Sequence, residues 1–284
     1  MSDAQAPLHP AGTIEAADEP VDTSEFDPVE WDASSVGSRS ITASIFAHEY
    51  DENGRRYHRY RHGRYPMPND QTEQGRENIK HVLMLELLPE WTPGNVKFFV
   101  DDAEDDWVNG KDFDFVHFRS MAPILRKLDK VLVDAHENMR SGGWIEFQEL
   151  HGQIHSDDGT MASDDKLKTF YELVVQAFQS LGLDFHKARD LGPHLEAAGF
   201  RNVQCQIMKI PIGTWPKDNT QRLIGYYSKL AVKWAATAFT GKPFEAMGIS
   251  KSQSDAWCKT VWEDLEDDSK HRYYNMFFWY AQKV

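Results

Sequence analysis

Two hydrophobic rhythms alternate along residues 70–284, and they divide this part of the chain into helices and strands. Asp70 can cap a helix that runs through "QTEQGRENIKHVLMLEL" until Pro89 stops it. "NVKFFV" (95–100) and "FDFVHF" (113–118) are short, apolar and followed by polar or turn residues, so they read as strands. Ser120 can cap the next helix, in which Ile124, Leu125, Leu128, Val131, Leu132 and Ala135 form one stripe. "SGG" (141–143) ends that helix, and "WIEFQEL" (144–150) is the next strand. Beyond the turn "SDDGTMASDD", Leu167, Phe170, Tyr171, Val174, Phe178 and Leu181 again fall at helical spacing. "RDLGPHLEAAG" predicts a shorter helix ending at Gly199, followed by a strand over 203–213. Helices are predicted over 220–239 and 250–266, and "YYNMFFWYAQKV" closes as a strand. Strands alternating with helices imply a mostly parallel sheet flanked by helices, an α/β fold.

The first 40 residues break this rhythm. They hold nine Asp or Glu against one Arg, with several prolines and almost no clustered apolar residues. Such a segment cannot offset the entropy of ordering, so residues 1–40 are expected to be a disordered acidic tail and 41–284 the folded body. The tail accounts for more than half of the net charge of −14. That sign argues against nucleic acid or an anionic membrane as the main partner. No apolar run approaches the ~20 residues needed to span a bilayer, and the N-terminus does not read as a signal peptide. Two cysteines, Cys205 and Cys258, are far apart and fit a reducing compartment. The expectation is a cytoplasmic protein, with the nucleus as the alternative.

Five separated blocks resemble a known family over roughly 45–284. They are "ENGRRYHRYRHGRYPMPNDQTEQGR" (52–76), "VKFFVDDAEDDW" (96–107), "FDFVHFRSM" (113–121), "GGWIEFQEL" (142–150) and "LEAAGFRNVQCQIMKIPIGTWPKD" (195–218). In this order they are similar to the fungal S-adenosylmethionine-dependent methyltransferases of secondary metabolism, relatives of the velvet-complex regulator. The resemblance implies a doubly wound, Rossmann-like domain with extra C-terminal helices and S-adenosyl-L-methionine as methyl donor.

Donor binding on such a sheet needs a glycine-rich turn after the first strand and an acidic residue after the second. This chain contains no G-x-G, and its only adjacent glycines, Gly142 and Gly143, precede "WIEFQEL". In the family, a strand-helix-strand unit follows the helix ending "HVLMLEL"; here that helix runs straight into "LPEWTPGN". The first such unit, more than ~30 residues, is expected to be absent between about 88 and 90. The fold is therefore expected to be a truncated member, with unpaired strand edges that seek another segment or a second copy of the chain.

By resemblance, Asp101, Asp102 and Ala103 lie beside the donor's adenine, against the plainer reading of a polar strand exit. His117 and Arg119 follow the fourth strand, where a base or substrate contact belongs in this family, although a lone His there is more often structural. Tyr57, Tyr60 and Tyr65 are the expected lid over substrate or donor. Glu146 and Glu149 read as sharing one strand face, buried or pore-facing. His151 and His155 have a spacing seen in metal sites, but "HGQIH" reads as a loop without a further ligand, so no metal is expected. Three functional readings follow. The first is an accessory protein with impaired donor binding that holds a biosynthetic intermediate or touches pathway enzymes. The others are a working small-molecule methyltransferase with unconventional donor binding, and a nuclear regulator of secondary metabolism without catalysis.

Overall fold

The computed structural model describes residues 8–9, 11–18, 48–50, 54–58, 64–87, 101–108 and 110–284, with the backbone alone at 8–9, 48–50 and 85–87. The expected strand at 95–100 lies outside them. The chain divides into two compact units.

The first unit comprises residues 1–14, 97–210 and 272–284 and carries a five-stranded sheet. Its strand order is β1 (Leu8–His9), β6 (Arg201–Ile212), β7 (Arg272–Gln282), β5 (Met139–His155) and β4 (Phe113–Arg119). β4 runs parallel to β5, and β5 runs antiparallel to β7. One sheet face is apolar at every second position: Val116 and Phe118, Ile145 and Phe147, Phe277, Trp279 and Ala281. The helices α2 (Leu128–Asn138) and α4 (Leu191–Ala197) contribute Val131, Leu132, Leu191 and Leu195 to the same core. Phe118 stacks on Phe147 at 4.5 Å between ring centroids. Each large side chain buried this way contributes about 1.5–3 kcal/mol. α3 (Lys166–Ser180) is capped by Asp165, which accepts from the Lys168 amide, and it buries the expected stripe from Leu167 to Phe178.

Several expectations change here. Residues 121–127 form turns and α2 begins only at Leu128, because Ser120 sits at φ +54° and does not cap a helix. Glu104 takes the capping role at a distance, accepting from the Lys127 amide at 2.5 Å. β5 starts at Met139, not after "SGG": the strand passes through both glycines, with Gly142 at φ +85°. At Gly143 a Cβ would stand 3.0 Å from the carbonyl oxygens of Phe113 and Arg140, so only glycine lets β4 approach there. β5 then continues to His155, so His151 and His155 lie on a strand. The acidic tail is ordered in part, because Leu8 and His9 pair in parallel with Cys205 and Gln206. Among the described residues β4 has a single strand neighbour and ends the sheet.

The second unit, residues 15–96 and 211–271, is helical. α1 (Gln71–Leu87) starts where expected, with Asp70 Oδ1 accepting from the Glu73 amide. It packs along α5 (Asn219–Phe239) so closely that a Cβ on Gly75 would meet Trp234 at 2.6 Å. α7 (Lys251–Asp264) carries a reciprocal cap between Ser250 and Gln253. A short helix, α6 (Lys242–Ala246), was not visible as a separate element in the hydrophobic pattern. β2 (His48–Tyr50) and β3 (Arg56–His58) form an antiparallel pair in the basic segment. The acidic segment reappears here too: Ala17 N–H donates to the Trp215 carbonyl, and Lys217 N–H to that of Glu15.

Candidate functional site

The face of the β4–β5–β7 sheet opposite the core is polar and aromatic. Strand register arranges it in rows: Phe115 beside Trp144, His117 beside Glu146 and Tyr280, Arg119 beside Gln148 and Phe278. The first row is open to solvent, with Phe115 54% and Trp144 37% exposed, whereas Gln148 is only 2% exposed. In the middle row, His117 Nδ1 lies 2.8 Å from Glu146 Oε2. A carboxylate can only accept, so Nδ1 carries a proton, and in the neutral tautomer of the ring Nε2 is the acceptor. Gln148 Nε2 donates to the same Glu146 oxygen at 3.2 Å, which fixes the carboxylate from a second side. The other end of that amide, Gln148 Oε1, is buried without a hydrogen-bond partner among the described residues. Phe115 packs beside His117 and Trp144 beside Tyr280, with ring centroids 6.1 and 6.2 Å apart. A histidine held by a carboxylate, flanked by aromatic rings, is an arrangement that can accept a proton from a bound molecule.

The sequence reading put His117 and Arg119 after the fourth strand; both lie within β4 instead, at alternate positions on one face, in company the sequence did not show. Glu146 and Glu149 do not share a face, since they stand three positions apart on a strand of period two. Glu149 is fully buried, and its Oε1 accepts from the Met121 and Ala122 amides at 3.0 and 3.1 Å. It holds the turn after β4.

The acidic turn is also built into the fold. Asp101 Oδ1 accepts from the Asp102 amide and Asp102 Oδ1 from the Glu104 amide, both at 2.9 Å. The Ala103 carbonyl accepts from Trp107 Nε1 at 3.2 Å, and Trp107 packs against the core. Glu104, which the sequence reading passed over, is buried as the α2 cap.

The lid reading of Tyr57 is corrected. Tyr57 is 1% exposed in the core of the second unit, with the Lys242 ammonium 3.9 Å from its ring centroid. A ring enclosed in this way supports packing and does not move as a cover. Its neighbour Arg55 spans to Asp70 through Nε (2.5 Å) and Nη2 (3.2 Å) and donates to the Thr237 carbonyl. Tyr60 lies outside the described residues. Tyr65 is at the surface of that unit, its ring 6.3 Å from that of His58.

His151 Nε2 faces His186 Nδ1 at 3.2 Å, and His155 stacks on Tyr273 at 5.5 Å. Burial, followed by the neighbouring His186, pushes the His151 pKa down to about 4, so this ring is neutral. Among the described residues no three His, Cys, Asp or Glu side chains gather as metal ligands.

With this geometry in place, comparison with known proteins defines the class. A family model described as "Methyltransferase domain" matches residues 13–205, and the chain belongs to that family. It is 27% identical to methyltransferase pytC of Aspergillus terreus over 325 aligned positions, covering 95% of this chain and 99% of the relative. It is 26% identical to the secondary metabolism regulator LAE1 of Cochliobolus heterostrophus, covering 82% of this chain and 94% of the relative. These relatives bear out membership in the fungal methyltransferase family of secondary metabolism, on an α/β methyltransferase fold. Among solved structures, a Haemonchus contortus phosphoethanolamine N-methyltransferase 2 is similar at TM-score 0.35 and 15% identity, covering 65% of this chain and 36% of that one. The pytC alignment has 325 positions and this chain 284 residues, so at least 41 positions have no residue here.

Proposed function

We propose that this chain serves fungal secondary metabolism as an accessory member of the methyltransferase family, with impaired donor binding, and that it holds a biosynthetic intermediate. The observation that carries this reading is the lack of any G-x-G turn in a chain at least 41 positions shorter than its pytC alignment. A missing strand-helix-strand unit accounts for both. It would remove the glycine-rich turn and the ribose-binding acid together, while the remaining acidic turn spends Asp102 Oδ1 on its own backbone. Hydrogen bonds to charged groups are worth about 1.5–3 kcal/mol each, so losing two or three weakens donor binding by several orders of magnitude. Isothermal titration with S-adenosyl-L-methionine tests this directly. A low-micromolar dissociation constant would defeat it.

A working small-molecule methyltransferase is the second reading, favoured by the His117–Glu146 pair and by the pytC likeness. Methyl transfer needs little beyond positioning of donor and nucleophile, so that pair would suffice if the donor were held by other means. Donor titration separates it from the first reading. The LAE1 likeness favours a third, a nuclear regulator without catalysis, which nuclear fractionation and partner pull-down would address. Among the described residues no helix is long and apolar enough to cross a membrane.

A further inference from the structure

We propose that the backbone edge at residues 215–217 is a docking site for an extended acidic peptide of a partner protein. Such a peptide adds a strand there in place of the chain's own residues 15–17. The proposal is independent of whether the methyl donor binds. In the second unit, Ala16 forms an isolated antiparallel bridge with Pro216. Two backbone hydrogen bonds flank it: Ala17 N–H donates to the Trp215 carbonyl at 2.7 Å, and Lys217 N–H to that of Glu15 at 2.8 Å. Ala16 and Pro216 are therefore the pair without mutual hydrogen bonds, where a missing N–H costs the pairing nothing. This is the geometry by which a peptide strand is added to an edge.

The edge is fixed by residues outside the N-terminal segment. Arg222 donates from Nε to the Pro216 carbonyl at 3.1 Å and from Nη2 to the Lys217 carbonyl at 3.0 Å. Asp218 Oδ1 accepts from the Gln221 amide at 2.9 Å and so starts α5 directly after Lys217. The Trp215 ring is buried and stacks on His271 with centroids 4.9 Å apart. The occupant, in contrast, is held lightly. None of residues 11–18 is buried, and Ile14, the one large apolar side chain among them, is half-buried. Lys217 Nζ and Glu15 Oε2 stand 3.7 Å apart on exposed side chains, a pairing that contributes little. A segment with so few buried contacts opens far more readily than the core. A rigid edge under a weakly held strand is one that another strand can take.

The chemistry of the partner follows from the occupant it replaces. Lys217 and Arg222 border the edge, against one carboxylate, Asp218, which is turned to the Gln221 amide. Glu15 and Asp18 bring the opposite charge to it. Side chains at a pair without mutual hydrogen bonds come closest together, so a small residue such as Ala16 suits the place opposite Pro216. The fitting peptide is extended and acidic, with a small residue at that position.

The test uses a fluorescein-labelled peptide of residues 11–18 as probe. The protein is the full chain, unmodified or carrying Ala17→Pro, which removes the N–H given to Trp215. Anisotropy should show saturable binding to the Ala17→Pro chain and about tenfold weaker binding to the unmodified one, whose tethered segment competes at millimolar effective concentration. A peptide carrying Ala17→Pro should bind about tenfold more weakly than the parent peptide. One carrying Glu15→Lys and Asp18→Lys should also bind more weakly at low salt, with the difference closing as salt rises. Hydrogen exchange at the Lys217 amide should quicken in the Ala17→Pro chain and slow again when the peptide is added, with circular dichroism confirming the fold. Absence of saturable binding, equal binding to the two chains, or unchanged exchange at Lys217 would each overturn the site. Equal affinity for the acidic and lysine-substituted peptides at low salt would overturn the acidic partner. A dimer of the unmodified chain that Ala17→Pro dissociates, seen by light scattering, would overturn the partner protein in favour of strand exchange between two copies.

Discussion

Asp165 and Arg272 meet inside the first unit, carboxylate Oδ2 to guanidinium Nη1 at 3.3 Å, with both side chains essentially without solvent. The same carboxylate caps α3, so one residue ties the start of that helix to the start of β7. Removing one member of a buried ion pair costs more than removing both, because the remaining charge loses a counter-charge it was buried with. Asp165→Ala should therefore cost about 3–5 kcal/mol in urea unfolding. The double variant with Arg272→Met should recover a large part of that loss. Additive losses would show that the pair does not act as a unit.

Gly225 lies in α5, where alanine would ordinarily be the better helix former by about 1 kcal/mol. Here a Cβ would fall 2.0 Å from the Gly213 carbonyl oxygen, and Gly213 in turn donates its N–H to the Gly225 carbonyl at 3.0 Å. Two backbones touch at this point. Gly225→Ala is expected to destabilise by about 1–3 kcal/mol or more, the cost of forcing atoms into a packed site. A variant as stable as the parent would mean that this contact is loose.

Stability should fall on mild acidification. In the folded chain His151 is pushed down to about 4, chiefly by burial and next by His186, with His155 and Arg189 acting in the same direction and Asp184 against it. An unfolded histidine titrates near 6.5. Between these values the unfolded state binds more protons, so the contribution of His151 is intact above pH ~6.5 and is lost as pH falls towards ~4. His136 and His155, both lowered mainly by burial, reinforce the slope. His151→Gln should flatten the stability curve in that window, as read from denaturant midpoints at half-unit pH steps. An unchanged slope would remove His151 as its source.

Removing residues 1–18 should be felt by the fold. Leu8 and His9 extend the sheet beside β6, and the Ala17 and Lys217 amides make bonds across Trp215 and Glu15. Backbone hydrogen bonds contribute about 0.5–1.5 kcal/mol each, so the loss should be about 2 kcal/mol and lower Tm by about 4–8 °C. Removing 21–40 should leave Tm within about 2 °C, as expected of a polar segment without an apolar stripe. Equal effects of the two deletions would refute the distinction.

What the sequence disclosed was local. Asp70 marked the start of α1, and the Leu167–Phe178 stripe marked α3, because a cap is one residue and a helix is written in residues three and four apart. β1 was illegible for the opposite reason: two residues in an acidic stretch become a strand only because β6 offers an edge some two hundred residues later. "SGG" looked like a break, and only the approach of β4 shows why a strand needs glycine there. Candidate chemistry followed the same division. His117 could be singled out at a strand end, but Glu146 joins it through register across 29 residues, which no spacing rule contains. Tyr57 looked like a mobile aromatic in a basic loop because Lys242, which covers it, is far away in sequence.

The position of β7 has a consequence for synthesis. β5 and β6 are not joined to each other; each borders β7, which is made only after the roughly 60 residues that follow Ile212. At about 5–20 residues per second, the ribosome leaves two apolar strands with open edges for about 3–12 s. The nascent chain therefore spends its most adhesive interval with a sheet in two halves, when a chaperone or a neighbouring nascent chain competes with β7 for the gap. Slow codons placed between α5 and α7 would lengthen that interval and lower soluble yield without altering a single residue.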